Sequence, residues 1–364
     1  MNKSLIVSQR LRNQRLTATE FRRPVEVVRW FGAVQAQEFS AAKWAIGQRL
    51  QNATNKSIEQ AFNEGKILRT HVLRPTWHFV SPKDIRWLLE LTAPRVNIAC
   101  GSSYRKFELD DRVFKQTNQI LSRALKGGKH LTRNSLKKIL NESGVSVDDP
   151  VRLAHILLRA ELDAVICSGP REGNQFTYTL LEERVPKTRP VDREKALATL
   201  TLTYFTSHGP ATVRDFMWWS GLTAVDAKRG IDMVERCLIK ISHGDKVLWA
   251  PGSDESVNQS ATSASLLADF DEYVVAYKDR SAVIDSNDQS TRLSGLLGRT
   301  VIVDGKIVGS WKQTNDKGLV AISMQLFRSL KKSEKLAIEK AVYRYGRFLN
   351  IGTNSVLRIS TVAE

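Results

Sequence analysis

Apolar residues recur at helical spacing through the first two-thirds of the chain and at every second position near its end. In residues 24–34, PVEVVRWFGAV, Val25, Val28 and Phe31 line one stripe. Pro24 suits the first turn of that helix, where an N–H would lack a partner anyway. Ser40 is a candidate cap for a second helix, AAKWAIGQRL. Ser57 and Gln60 predict a capping box opening a third. Ser81, Pro82 and Asp84 predict a fourth, SPKDIRWLLEL, with Pro82 at its first position. Between the third and fourth, ILRTHVLRPTWHFV is β-branched and aromatic around a central Arg-Pro, which predicts two short extended pieces.

The clearest local signals lie in GPATVRDFMWWSGLTAVDAKRGIDMVERCLIK. Thr212 and Asp215 form one capping box, Thr223 and Asp226 another, and Gly221 breaks the chain between them. The following LIKISHGDKVLWAP reads as strand, turn, strand. Helix, turn, helix and hairpin together predict a winged helix. The pattern recurs upstream: Thr132 caps a helix stopped by Gly144, DPVRLAHILLRAELDAVI supplies the next, and AVICSGPREGNQFTYTLL supplies a hairpin. The region ending in RTHVLRPTWHFV reads as a third, divergent copy.

Residues 185–192, VPKTRPVD, and 251–265, PGSDESVNQSATSAS, read as linkers. Beyond them, Asp304-Gly305 between alternating strands predicts a hairpin, LVAISMQL another strand, and KSEKLAIEKAVYRYGRFLN a closing amphipathic helix. The expected fold is mainly α with β hairpins (α+β): tandem winged helix-turn-helix domains and a C-terminal β-rich region. The boundaries are 1–188, a basic helical region with one or two winged helices; 189–258, a winged helix; and 259–364, a β-rich domain ending in a helix.

Charge sharpens the picture. The 364 residues carry a net charge of +17, and residues 1–190 supply +14 of it from 32 Lys and Arg against 18 Asp and Glu. Such concentration predicts a phosphate-neutralising surface, and double-stranded DNA is the expected partner. No apolar run reaches the ~18 residues that span a bilayer, and no leader pattern opens the chain. Cys100, Cys167 and Cys237 are widely spaced with no CxxC, which predicts a reducing cytoplasmic setting without zinc or iron–sulfur clusters. We expect no cofactor, no metal, no membrane attachment and a monomer.

One polar pattern interrupts an apolar stretch: Gln35 and Gln37 in WFGAVQAQEFSAAKW. A buried amide without a partner costs about 1–3 kcal/mol. On a helix, residues two apart point ~200° from each other, but in the connection before the second helix both amides can face one cavity. The bland alternative is a solvated connection. Glu38 is a competing carboxylate, expected to point away if the segment is extended. Candidate DNA contacts cluster in RTHVLRPTWHFV: Arg69, His71, Arg74 and Trp77, with His78 beside them. A buried strand pair is the alternative there. Arg133, Lys137 and Lys138 lie on a predicted helix, and Arg299, Lys306 and Lys312 flank the last hairpin. At least one indole of Trp218-Trp219 belongs in a core.

The blocks VQAQEFSAAKWAIGQRL, ILRTHVLRPTWHFVSPKDI, GPATVRDFMWWSGL, LLADFDEYVVAYKDRS and VIVDGKIVGSWK, in that order, resemble the AlkZ/YcaQ-type winged-helix DNA glycosylase family. The resemblance implies tandem winged helices with an added C-terminal β region, and excision of alkylated bases and some interstrand crosslinks. It implies a Gln-x-Gln or Gln-x-Asp catalytic element; Gln35-Ala36-Gln37 matches the first form. It also implies that one hairpin enters the groove near the lesion. The rival reading is a non-catalytic winged-helix DNA-binding protein or transcriptional regulator.

Overall fold

The computed structural model describes residues 3–252, 261–284, 297–316, 319–351 and 356–361. It is a mixed helix-and-strand fold. After helix α1 (Lys3–Asn13), one connectivity occurs three times: helix, short extended piece, helix, helix, hairpin. The first unit is α2 (Pro24–Phe31), β1 (Val34–Gln35), α3 (Phe39–Gly47), α4 (Asn55–Asn63), β2 (Leu68–Val72) and β3 (Arg74–Val80). Helix α5 (Ile85–Lys106) leads to the second: α6 (Asp111–Leu125), β4 (Leu131–Thr132), α7 (Arg133–Glu142), α8 (Pro150–Leu162), β5 (Ile166–Ser168) and β6 (Thr177–Leu180). A short helix, α9 (Leu181–Arg184), precedes the third: α10 (Arg193–His208), α11 (Val213–Ser220), α12 (Ala224–Val234), β7 (Leu238–His243) and β8 (Lys246–Pro251). In each unit the extended piece pairs with the second hairpin strand, as β1–β3, β4–β6 and the Ala211–Trp249 bridge. The C-terminal part comprises β9 (Ala264–Leu266), a helical turn α13 (Glu272–Val275), β10 (Thr300–Val303), β11 (Lys306–Asp316), β12 (Leu319–Leu326), α14 (Lys332–Phe348) and β13 (Val356–Thr361). Its strands form one sheet in the order β13-β12-β11-β10-β9.

Local chemistry sets most element ends. Thr212 and Asp215 bond reciprocally at the start of α11, Gly221 closes it at φ +70°, and the Thr223 hydroxyl accepts the Asp226 N–H to open α12. Thr132 caps α7, and Asp304-Gly305 turns β10 into β11 with both residues at positive φ. Three expected starts move. Ser40 lies inside α3, whose N-cap is Glu38, because Phe39 must already be helical to pack on Phe62, Phe79 and Phe176. The capping box of α4 joins Thr54 and Ser57, one turn before Ser57–Gln60. Helix α5 begins at Ile85 because the Ser81 hydroxyl bonds Asp84 and closes a turn over Pro82. Of the second expected linker, residues 253–260 lie outside the described residues.

One apolar cluster unites α5 with the second and third units, and another joins the first unit to the C-terminal sheet and α14. Residues 266–280 run between them. Their buried Asp271 meets Arg49, from the residues just after α3, through two contacts: Nη2 to Oδ1 at 2.7 Å and Nη1 to Oδ2 at 2.9 Å. Gln48 Nε2 donates to the same carboxylate at 2.8 Å. Arg49 is 1 % exposed and Asp271 2 %. Removing one partner of such a pair strands the other charge away from water, at about 3–5 kcal/mol. Asp271→Ala therefore lowers the urea midpoint by a corresponding amount in tryptophan fluorescence, while the paired Arg49→Met/Asp271→Leu change costs less than either single change.

Candidate active site

Strand β1 is two residues long, and alternation decides what it presents. Val34 and Ala36 turn into the apolar core, so Gln35 and Gln37 turn to the opposite face. Gln35 pairs with His78 in the ladder, and the Ala36 N–H extends it, donating to the Trp77 carbonyl at 2.7 Å. Two buried side chains hold this backbone from outside. Glu272 Oε1 accepts the Gln35 N–H at 2.7 Å. Arg69 donates from Nε to the Ala36 carbonyl at 2.9 Å and from Nη2 to the Gln37 carbonyl at 3.2 Å.

The amides differ in their surroundings. Gln35 is 6 % exposed, and its Oε1 accepts from Arg74 Nη2 at 2.8 Å. Gln37 is half-buried, with Oε1 3.5 Å from the Trp77 N–H, a weak contact. Neither Nε2 has a hydrogen-bond partner among the described residues, and neither is fully sealed from solvent. Glu38 is exposed.

Charges around β1 are held apart by fixed contacts. Glu272 is buried, which opposes its ionisation. The His208 ring 3.4 Å away, the Gln35 N–H and the Arg74 guanidinium outweigh that and hold its pKa below the ordinary value. Its Oε2 also accepts from the Trp219 indole at 3.0 Å. Burial lowers the Arg69 pKa to about 10, against the pull of Glu161, which leaves it charged at neutral pH. The Arg69 guanidinium lies 4.2 Å from the Trp77 ring centroid, and the His71 ring packs against the same indole at 4.5 Å. His71 is itself held by Glu161, through its N–H at 2.9 Å and a short Nδ1 contact.

The structure thus gathers Gln35, Gln37, Arg69, His71, Arg74, Trp77 and His78 around the β1-β3-β2 sheet. The other expected contacts lie in other parts of the chain. Arg133 Nη2 bonds the Pro150 carbonyl, Lys137 faces Asp148 at 3.8 Å, and Lys138 faces Glu142 at 3.7 Å, all in the second unit. Arg299 pairs with Asp269, and Lys306 Nζ donates to the Ala282 carbonyl, both in the C-terminal part. Lys312, on β11, is exposed.

Sequence reasoning missed Glu161, Glu272 and a cationic group beside Arg74. Trp218 is 38 % exposed, with Lys278 Nζ 4.5 Å and the Arg280 guanidinium 5.6 Å from its ring. Arg74 Nη1 donates to the Trp218 carbonyl, and Arg95 reaches the Gly221 carbonyl at the end of the same helix. The available signal was an Asp-Glu pair inside the apolar run DFDEYVVAY, where carboxylates need partners. Trp219, its neighbour, is fully buried. Among the described residues, no three His, Cys, Asp or Glu side chains gather as metal ligands would, and no helix is long and apolar enough to cross a membrane.

A triply repeated helix-and-hairpin unit, a basic first half and two neighbouring amides with unengaged N–H₂ groups fit an enzyme that works on DNA. The sequence profile described as "DNA glycosylase AlkZ-like" matches residues 28–348. The chain belongs to the AlkZ-like DNA glycosylases and is a glycosylase enzyme. It is similar to an "Interstrand DNA cross-link repair glycosylase" of Streptomyces sahachiroi, 24 % identical over an alignment of 309 positions that covers 79 % of this chain and 81 % of that one. The solved structure of "Streptomyces sahachiroi DNA glycosylase AlkZ" matches with a TM-score of 0.83 over 100 % of both chains at 21 % identity, a likeness of fold.

His78, opposite Gln35, is fully buried, with Nδ1 2.9 Å from the Thr76 carbonyl and Nε2 unpartnered. Burial first, then the Arg74 charge, lowers its pKa from 6.5 to about 3. The unfolded chain takes that proton near pH 6.5 and the folded chain resists it. The stability from a neutral His78 is therefore complete above pH 6.5 and drains as pH falls from there toward about 3, by up to ~1.4 kcal/mol per pH unit. Urea midpoints between pH 7.5 and 4.5 should fall less steeply for His78→Gln than for the parent; equal slopes would contradict this assignment.

Proposed function

We propose that this chain hydrolyses the N-glycosidic bond of cationic alkylated purines in duplex DNA, crosslink adducts included, with water placed by Gln35 and Gln37. The observation that carries the reading is the pair of amides in and just after β1, neither with its Nε2 sealed from solvent, and the backbone between them fixed by Arg69 and Glu272. The name of the Streptomyces sahachiroi relative supports the inclusion of crosslinks.

The chemistry suits amides. An N7-alkylated guanine already carries positive charge and leaves without acid assistance. As the C1′–N9 bond breaks, its electron pair neutralises the base, and the sugar gains oxocarbenium character. Water adds to C1′ and releases one proton to solvent, since Gln cannot take it. Gln oxygens accept hydrogen bonds from water and direct their dipoles at developing positive charge. A neutral lesion such as uracil needs an acid that this site does not offer.

We further propose that the three repeated units are winged helices that grip the duplex as a monomer. Trp218 with Lys278, Arg280 and Arg95 extends the contact beside the amides. Arg133, Lys137 and Lys138 contribute phosphate contacts. The Lys137 and Lys138 ion pairs are worth only ~0–1 kcal/mol, so phosphates can displace them.

Purified protein incubated with a duplex containing a single 7-methylguanine should release the free base. Gln37→Ala should slow that release by ~10²–10³-fold, and a uracil duplex should stay intact. Tight binding without release from several cationic lesions would favour a DNA-binding protein that performs no excision.

A further inference from the structure

The proposed reading treats the two glutamines alike, but their surroundings do not. We propose that Arg74 is a positioning residue that fixes the sense of the Gln35 carboxamide, so that the pair offers one donor and one acceptor. This inference rests on the glycosylase reading above and assigns the roles within it.

A carboxamide's oxygen and nitrogen ends are interchangeable until a neighbour distinguishes them. Arginine does so without ambiguity, because a guanidinium has donors only. With Arg74 Nη2 at 2.8 Å, the Gln35 atom facing it must be Oε1. Nε2 is then turned the other way. Gln35 thus keeps an N–H₂ donor that no described residue engages and that is not sealed from solvent. Gln37 has no such constraint: its Oε1 meets only the Trp77 N–H at 3.5 Å, which leaves that oxygen able to accept.

Arg74 is itself fixed rather than adaptable. Its Nη1 donates to the Trp218 carbonyl near the end of α11. Its backbone follows Leu73, at φ +63°, and the Leu73 carbonyl would lie 2.3 Å from a Cβ at Gly221, so the hairpin and the helix end meet backbone to backbone. The Glu272 carboxylate holds the Gln35 N–H and attracts the guanidinium. Guanidinium, amide and carboxylate are thus tied to β3, β1 and α13. A water held there donates to Gln37 Oε1 and accepts from Gln35 Nε2. One lone pair remains for C1′, and its second proton faces solvent.

The test uses single-turnover release of 7-methylguanine at saturating enzyme, with duplex affinity measured separately. Gln35→Glu keeps an acceptor for Arg74 but removes the donor, and should cut the rate by ~10² or more with a folded protein. Gln37→Glu keeps its acceptor and should lose less rate than Gln35→Glu. Arg74→Ala frees the amide to turn and should lower the saturated rate by ~10-fold while Kd and its salt dependence hold. Arg74→Lys, which still offers only donors, should restore part of that rate. A phosphate contact would behave differently: Arg74→Ala would weaken binding, reduce the log Kd against log salt slope by about 1, and leave the saturated rate unchanged. That outcome, or a fully active Gln35→Glu variant in a chain whose parent releases base, overturns this inference alone. A parent protein that releases no base overturns both it and the reading beneath it.

Discussion

Asp271 and Glu272 are the constraint on which the rest of the molecule depends. Two adjacent carboxylates are buried in the middle of an apolar connection, and neither survives there without partners. Asp271 is answered by Arg49 and Gln48 from the end of α3, and Glu272 by the Gln35 N–H and the Trp219 indole. One dipeptide therefore ties the first unit to the third. The segment around it repeats the logic with carbonyls. Trp44 and Trp311 indoles donate to Leu266 and Leu267, Trp218 to Val275, and the Tyr204 hydroxyl to Ala276.

Because the segment is fixed at so many points, the strand beside it is fixed too. Strand β1 alone is too short to hold a register, with only two residues in the ladder. Its position comes from Glu272 on one side, Arg69 on the other, and Val34 and Ala36 packed beneath. A side chain on so short a strand would otherwise lose several rotamers' worth of entropy on binding. On the proposed reading, much of that cost is met during folding for Gln35, whose amide is held by Arg74 before substrate arrives and needs no reorganisation at the moment of reaction.

Local physics was legible in the sequence, and long-range pairing was not. Thr212 with Asp215, Thr132, and Asp304-Gly305 act within a few residues, so their roles follow from spacing. Ser40 and Ser57 were misjudged because several capping candidates stood side by side, and burial of Phe39 and the Thr54 hydroxyl decided between them. The amide pair stood out as a polar interruption of an apolar stretch. Its partners did not, since Arg69, Arg74 and Glu272 come from 32 to 237 residues away in sequence. The ordered blocks that resembled the AlkZ-like family contain all three, but nothing in those blocks pairs them with the amides.

The same electrostatics explain why amides rather than carboxylates would occupy this face. Arg74 lies against the Gln35 amide, and the buried Glu272 charge is already engaged by its own partners. A carboxylate at position 35 would form an ion pair with Arg74 and be held there, its charge neutralised. An amide accepts from the same guanidinium, stays uncharged, and keeps a second polar end for other use. It also adds no negative charge to a surface proposed to receive polyphosphate. On the proposed reading, the substrate brings the positive charge that drives bond cleavage. The protein then needs only to hold water in place, and neutral groups on a rigid strand do that at the least electrostatic cost.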